Sequence, residues 1–381
     1  MALAMFFNPD INKIFGSGPT HVAINNFAER LYQRGAAVVE RCNAGKKDGA
    51  PRVRRPLVVR GHKLKHEVIA FKNILKSGVA DNSAAPEAHW SPPSRWVYAL
   101  SAANWLSVLL GSKAAKDSRS EPAVKELSPD DSASIEELRD ELAGSPDYAR
   151  VRELARGEIT WLEYSQGMML GDSDIEALMG KIITRADVLL TTPAAVTAPG
   201  FYADVWAKAK AVAIDEAGYM SRADLCSAWG NILRVLVLAG DTLQLRPTAM
   251  EPLNRFRSDL KISALAFMQA SGIPVYQLRT QLRMCTDMFG LAKTLVYKDL
   301  DKFKYGAHSD PSEPIHSLGR AFEDWLLNVR KFPGLKPSAD GTLEPVWYVF
   351  RLPCLFYAVC TGMDSGCTPQ TRGSRKPARR G

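Results

Sequence analysis

Apolar residues in this chain gather into short continuous runs separated by stretches with helical spacing. The runs "PLVVRGH" (56–62), "ADVLLTT" (186–192), "KAVAIDEA" (210–217), "RVLVLAGD" (234–241) and "IPVYQLRTQLRM" (273–284) are rich in Val, Ile and Leu, and each reads as a buried strand. Residues 11–35, "INKIFGSGPTHVAINNFAERLYQRG", read as a strand, a Gly/Pro turn and a helix, with Val22, Ile24, Phe27, Ala28 and Leu31 on one helical face. Continuous strand runs alternating with helical segments indicate a parallel sheet with helices on both faces, an α/β architecture. In such sheets ligands bind at the carboxyl ends of the strands, and polar residues cluster there in this sequence.

Residues 77–150 break the alternation. Ser, Pro, Ala and charged residues dominate, and the segment reads as a partly disordered insertion, part loop and part amphipathic helix, with Asp130, Asp131 or Ser132 as N-caps. Within it "WVYALSAANWLSVLLG" (96–111) is the longest apolar stretch, too short for a bilayer and interrupted by Asn104, so it reads as a buried helix. After residue 300 periodicity fades, and 301–381 is expected to be poorly structured, ending in the basic tail "RGSRKPARRG".

The composition, 46% hydrophobic and 24% charged over 381 residues, fits a soluble globular protein with two domains, or one domain enlarged by insertions. The opening "MALAMFFNPD" lacks a basic n-region and a small-residue cleavage site, so an intracellular location, cytoplasmic or nuclear, is expected. Six cysteines without a Cys-x-x-Cys pair argue against a zinc site or a disulfide framework. The net charge of +8 is unevenly placed: residues 1–80 hold 14 Lys and Arg against five Asp and Glu. The concentration around Arg52, Arg54 and Arg55 suggests a polyanionic partner, although a solvated basic face explains the charge alone equally well.

"AVAIDEAG" and "VLVLAGDTLQL" narrow the chemistry. In a nucleotide-hydrolysing α/β domain, a strand ending in Asp-Glu supplies one carboxylate, Asp215, to hold Mg²⁺ and a second, Glu216, to polarise the attacking water. Alone, the pattern also fits a solvated acidic pair at a strand end. The next run adds a turn glycine, Gly240, a carboxylate, Asp241, and an amide, Gln244, placed to sense a γ-phosphate; "QLRTQLRM" adds Gln281 and Arg283, the latter able to meet developing phosphate charge.

With these elements in this order the chain resembles the superfamily 1 RNA/DNA helicases, in the branch of the nonsense-mediated-decay helicases. "VAIDEAG" is similar to that family's Walker B motif, "LAGDTLQLRP" to its Gly-Asp-x-x-Gln motif, and "LRTQLRM" to its Gln-Tyr-Arg-Met motif with Leu282 in place of tyrosine. "GPTHVAINNFAERL" resembles the Ia motif, where Pro19, Thr20 and His21 stand for a backbone-contacting Pro-Ser-Asn, and "LLTTPAAV" resembles the Ic motif, with Thr191 and Thr192. The resemblance implies a RecA-like domain over 11–300, incomplete and interrupted by the 77–150 insertion. It implies ATP and Mg²⁺ as cofactors, with Asp241 and Gln281 at the nucleotide, and single-stranded RNA or DNA as partner, with no membrane. The family's Gly-x-x-x-x-Gly-Lys-Thr loop is missing: Lys46 is followed by Lys47, Lys181 by Ile182, and "FGSGPTH" has no lysine. No Gln-Gly-x-Glu or Thr-Arg-Ala motif follows residue 300. The expectation is therefore a truncated helicase fragment, lacking the phosphate loop and the second motor domain, with impaired ATPase activity. The alternative is a non-catalytic nucleic-acid-binding or scaffold protein that keeps the fold.

Overall fold

A computed structural model describes residues 1–47, 50–86, 96–197, 199–248, 253–286 and 288–331. The chain divides into two compact units, Met1–Val275 and Tyr276–Gly381. The first unit is built on five parallel strands: β1 (Ile14–Ser17), β2 (Val58–Arg60), β3 (Val188–Leu190), β4 (Ala211–Ile214) and β5 (Val235–Leu238), in the order β2-β3-β1-β4-β5. The α/β, RecA-like reading of the sequence holds. β1 sits at the centre, paired with β3 from Ile14↔Val188 and with β4 from Ile14↔Ala211. β1 to β4 are buried along their whole length, which is why they read as unbroken apolar runs rather than alternating ones.

Helix His21–Asn43 starts where Thr20, extended at φ −133°, turns its hydroxyl onto the Ala23 N–H at 3.1 Å. Its buried positions Ile24, Ala28, Leu31, Gly35 and Val39 recur every three or four residues and face the core.

Within 77–150, residues 87–95 lie outside the described residues, and the described part carries helices and core side chains. Trp96, Tyr98, Leu100, Trp105, Leu106 and Leu110 are all core residues, and helix Ala102–Leu109 is buried along its whole length. Asn104, in the middle of this apolar run, ties it together: its carbonyl accepts from the Leu100 and Val124 N–H groups (3.2 and 3.0 Å) and its amide donates to the Val124 carbonyl (2.8 Å). The Trp105 indole donates to the Val58 carbonyl (2.9 Å), and the Arg60 N–H donates to the Leu100 carbonyl (2.8 Å). The insertion thereby covers the β2 edge of the sheet. The opposite edge, β5, pairs only with β4 among the described strands; Leu233 is 98% and Val235 45% exposed.

The three arginines expected to form a nucleic-acid patch are turned onto the insertion. Arg52 pairs with Asp130 (2.6 Å), Arg54 with Glu136 (3.0 Å) and Arg55 with Asp131 (3.0 Å). Asp130 and Asp131 serve as ion-pair partners, while Ser132 takes the N-cap position of helix Ala133–Gly144 without a side-chain cap bond.

The second unit begins at Tyr276, earlier than the boundary expected after residue 300. The run 273–284 forms no full strand. Only Thr280–Gln281 (β6) pairs, in parallel, with Lys304–Tyr305 (β7), beside the rings of Phe289, Tyr297, Phe303 and Tyr305. The basic tail lies outside the described residues. Among the described residues no helix is long and apolar enough to cross a membrane, and no group of three His, Cys, Asp or Glu is placed to hold a metal ion.

Two outcomes follow from this core. Trp105→Ala should destabilise the chain by about 3–5 kcal/mol, through the cavity and the orphaned Val58 carbonyl, while Leu162→Ala, on the surface, should stay within about 0.5 kcal/mol; urea denaturation measures both. Glu67 is fully buried, which raises its carboxyl from 4.5 to about 7 against the opposing pull of the Ala103 N–H, Trp96 and Arg60. The folded value lies above the unfolded one, so the stability this group contributes is full below about pH 4.5 and is lost as pH rises to about 7. Glu67→Gln, a neutral stand-in for the protonated acid, should flatten the stability profile across that window relative to the parent chain.

Candidate functional site

Parallel pairing places the loops after β1, β2, β3, β4 and β5 on one edge of the sheet. In spatial order they carry Gly61–His66, Thr191–Thr192, Pro19–His21, Asp215–Glu216 and Asp241–Gln244. The sequence-predicted residues of the first unit, Arg52, Arg54 and Arg55 apart, therefore share one edge.

On the β4–β5 side the two acidic motifs meet through backbone. The Ala217 N–H donates to the Ala239 carbonyl (2.8 Å) and the Ala239 N–H to the Ile214 carbonyl (2.8 Å). A Cβ on Gly240 would lie 2.6 Å from the Gly218 nitrogen, and one on Gly218 would overlap the Asp241 carbonyl, so both positions require glycine. Glu216 itself sits at φ +54°, in the left-handed region, with its carboxylate exposed. Asp215 is half-buried; its Oδ1 accepts from the Glu216 N–H (3.0 Å), and its other oxygen makes no hydrogen bond among the described residues. Asp241 organises its own turn, accepting from the Leu243 N–H (2.9 Å) and from the Gln244 side-chain amide (3.1 Å). Gln244 is thus held by the residue three before it.

On the other side the sequence-predicted residues divide. Thr20 is exposed, but its hydroxyl caps the helix. The His21 Nδ1 lies 3.0 Å from an Nη of Arg60. Thr191 is 1% exposed, and its hydroxyl donates inward to the Gly61 carbonyl (2.9 Å), leaving half-buried Thr192 as the member of that pair that reaches the edge.

Gln281 and Arg283 belong to the second unit. The Gln281 side-chain carbonyl accepts from the Arg283 and Met284 N–H groups (2.8 and 3.2 Å), which fixes a tight turn and leaves the Arg283 side chain exposed.

Sequence reasoning missed the most buried charge of the edge. Arg60, 1% exposed, donates from Nε to the Asn25 carbonyl (2.7 Å), contacts His21, and bonds to the carbonyls of Gly61 and Leu190. Burial lowers its pKa to about 10, with Glu67 and Tyr202 pulling it back up, so it remains a cation at neutral pH. Beside it, His62 is buried with its pKa lowered by burial and by Arg60, and the Tyr202 hydroxyl donates to the His62 carbonyl (2.6 Å). Burial pushes the Tyr202 phenol well above its ordinary value. The signal was legible in principle: "RGHKLKHE" packs six titratable side chains directly behind a buried strand.

The family model of the AAA domain matches residues 8–252, more than half of the chain and all five strands of the sheet. No curated protein matches the sequence. With the parallel five-stranded sheet and its clustered carboxyl-edge loops, the chain belongs to this AAA domain family, a helicase-like, nucleotide-binding domain of the P-loop NTPase type.

Proposed function

We propose that the chain is a superfamily 1 helicase-like protein that binds single-stranded RNA or DNA along the β2–β3–β1 half of its carboxyl edge, with ATP hydrolysis impaired at the β4–β5 half. The observation that carries this reading is the backbone junction at Gly218 and Gly240, which brings Asp215–Glu216 and Asp241–Gln244 together. Mg²⁺ takes hard oxygen ligands, keeps several waters and is usually held by one or two carboxylates together with substrate phosphates. Asp215, with one oxygen unpartnered, fits that demand, and the exposed Glu216 carboxylate fits a general base. Bound ATP and Mg²⁺ would supply the phosphoryl group and its charge neutralisation. Gln244, bonded to Asp241, would couple the phosphate side to the strand side, while Gln281 and Arg283 are assigned to nucleotide and γ-phosphate by resemblance alone.

The impairment follows from the phosphate cradle. No Lys-Ser or Lys-Thr follows a glycine loop between strand and helix in the sequence. Three charge-assisted hydrogen bonds at about 1.5 kcal/mol each amount to roughly a thousandfold in affinity. The same observation favours a second reading, a non-catalytic nucleic-acid-binding or scaffold protein that keeps the helicase fold.

ATP turnover by the purified chain should match that of Glu216→Gln in a coupled assay. A Mg²⁺-dependent rate abolished by that substitution would overturn the impairment. The left-handed Glu216 gives a separate readout: Glu216→Gly removes the Cβ strain and should raise stability by about 1 kcal/mol, about 2–4 °C in Tm. An unchanged or lowered Tm would show that this backbone stores no strain.

A further inference from the structure

We propose that helix Trp161–Ser165 and the turn after it, which expose Leu162, Met168 and Met169, dock a cationic amphipathic segment of a partner protein. The inference goes beyond the strand-binding reading and does not depend on it.

Between Val79 and Ile232 the described residues expose only three large apolar side chains, Leu162 (67%), Met168 (79%) and Met169 (49%), and all three fall within eight positions. Single exposed apolar residues are ordinary on a protein surface, whereas a group of them marks a contact site. Two of the three are thioethers, unbranched and polarisable, which adapt to the shape of whatever covers them.

The turn is built to hold them outward. The helix opens on a capping box, in which the Thr160 hydroxyl accepts from the Glu163 N–H (3.3 Å) and the Glu163 carboxylate accepts from the Thr160 N–H (2.6 Å). It closes with the Gln166 and Gly167 N–H groups on the Leu162 and Tyr164 carbonyls, both at 3.2 Å. The Leu170 N–H then donates to the hydroxyl of buried Tyr164 (3.0 Å), and Arg150 donates to the Glu163 and Tyr164 carbonyls (2.8 and 3.2 Å). A Cβ on Gly167 would overlap the Arg150 guanidinium, so the turn lies directly on that side chain. Met168 and Met169 are therefore carried on backbone fixed at both ends, and little ordering cost remains for binding.

Charge selects the partner. Residues 157–180 hold five carboxylates, Glu158, Glu163, Asp172, Asp174 and Glu176, and no Lys, Arg or His, in a chain of net charge +8. Asp172 pairs with Lys72 (2.8 Å) and Glu158 lies 3.8 Å from Arg156, while Glu163, Asp174 and Glu176 make no ion pair among the described residues. The Thr160 N–H and hydroxyl hold the Glu163 carboxyl below the usual carboxylate range, so it stays ionised at neutral pH. Such a face repels phosphate and anionic lipid. It complements a segment that presents bulky apolar anchors between lysines or arginines.

The test uses the full chain and fluorescence anisotropy of a labelled Leu/Lys amphipathic peptide about four helical turns long, with a Leu/Glu peptide of the same pattern beside it. The parent should bind the first and not the second. Leu162→Ser/Met168→Ser/Met169→Ser should weaken binding about tenfold or more, as when the apolar anchors of an interface are lost. Glu163→Gln/Asp174→Asn/Glu176→Gln should weaken it mainly at low salt and flatten its salt dependence. Two controls on other exposed residues, Val79→Ser/Ile232→Ser/Leu233→Ser and Asp10→Asn/Glu40→Gln/Glu126→Gln, should bind as the parent does, and circular dichroism should show all variants folded. A parent that binds neither peptide or both equally, face variants that keep the parent's affinity, or controls that fall as far each overturn the proposal. Sedimentation and vesicle binding cover the other occupants. A dimer of the parent dispersed by the serine variant would make the face a contact between copies, and phosphatidylcholine vesicles bound by the parent alone would make it a membrane contact; either result overturns the partner segment.

Discussion

Parallel pairing is the constraint on which the remaining structure depends. Once β1 is flanked in register by β3 and β4, every strand must end on the same edge, and residues nearly two hundred positions apart become neighbours. The Asp215 N–H bonds to the Ser17 carbonyl, and the Ser17 hydroxyl donates to the Thr191 carbonyl (2.8 Å), so the ends of the three central strands are cross-linked before any functional side chain is considered. The site is a consequence of strand direction, and the apolar runs that fix that direction carry no functional side chain themselves.

The two halves of the edge are made rigid by different means. On the β4–β5 side, glycines at 218 and 240 let backbone meet backbone, and the cost appears as a left-handed Glu216. On the β2–β3–β1 side, the adhesive is a buried cation whose donors are distributed over a side-chain carbonyl, a histidine ring and main-chain carbonyls. A desolvated guanidinium is tolerable only when so many acceptors replace water, and removing one would leave a charge that burial penalises heavily. Glu67, fully buried and in the field of Arg60, belongs to the same polar interior.

The sequence revealed the strands and the motifs that terminate them because both depend on local signals: continuous apolar runs, and carboxylates or glycines at their ends. It did not reveal which charges would remain free. Arg52, Arg54 and Arg55 look like a basic patch in one dimension, yet Asp130, Asp131 and Glu136, some eighty residues later, neutralise them. Long-range packing was equally illegible in the insertion: Ser, Pro and Ala dominate the composition of 77–150, yet Trp96, Tyr98 and Trp105 belong to the core. Thr191 shows the limit for single residues, since a threonine after a strand can face solvent or its neighbour's carbonyl, and only the position of Gly61 decides. Gln281 and Arg283 read as part of the same site because they follow in order, and the chain places them in a separate compact unit.

The sheet is finished differently at its two edges. At β2 the extended segment before Ala102 pairs with Arg60, the Trp105 indole caps the Val58 carbonyl, and the strand is buried throughout. At β5 the residues are exposed or half-buried, pairing is described on one side only, and Leu233 lies bare in solvent. Local stability follows buried apolar contacts and paired backbone, so the β2–β3–β1 half rests on the firm edge and the acidic half on the looser one. The glycine junction offsets part of that difference by tying the Asp241 turn to β4's own loop rather than to the edge strand alone. Asp215 and Glu216 therefore keep a fixed position next to a strand that has only one neighbour among the described residues.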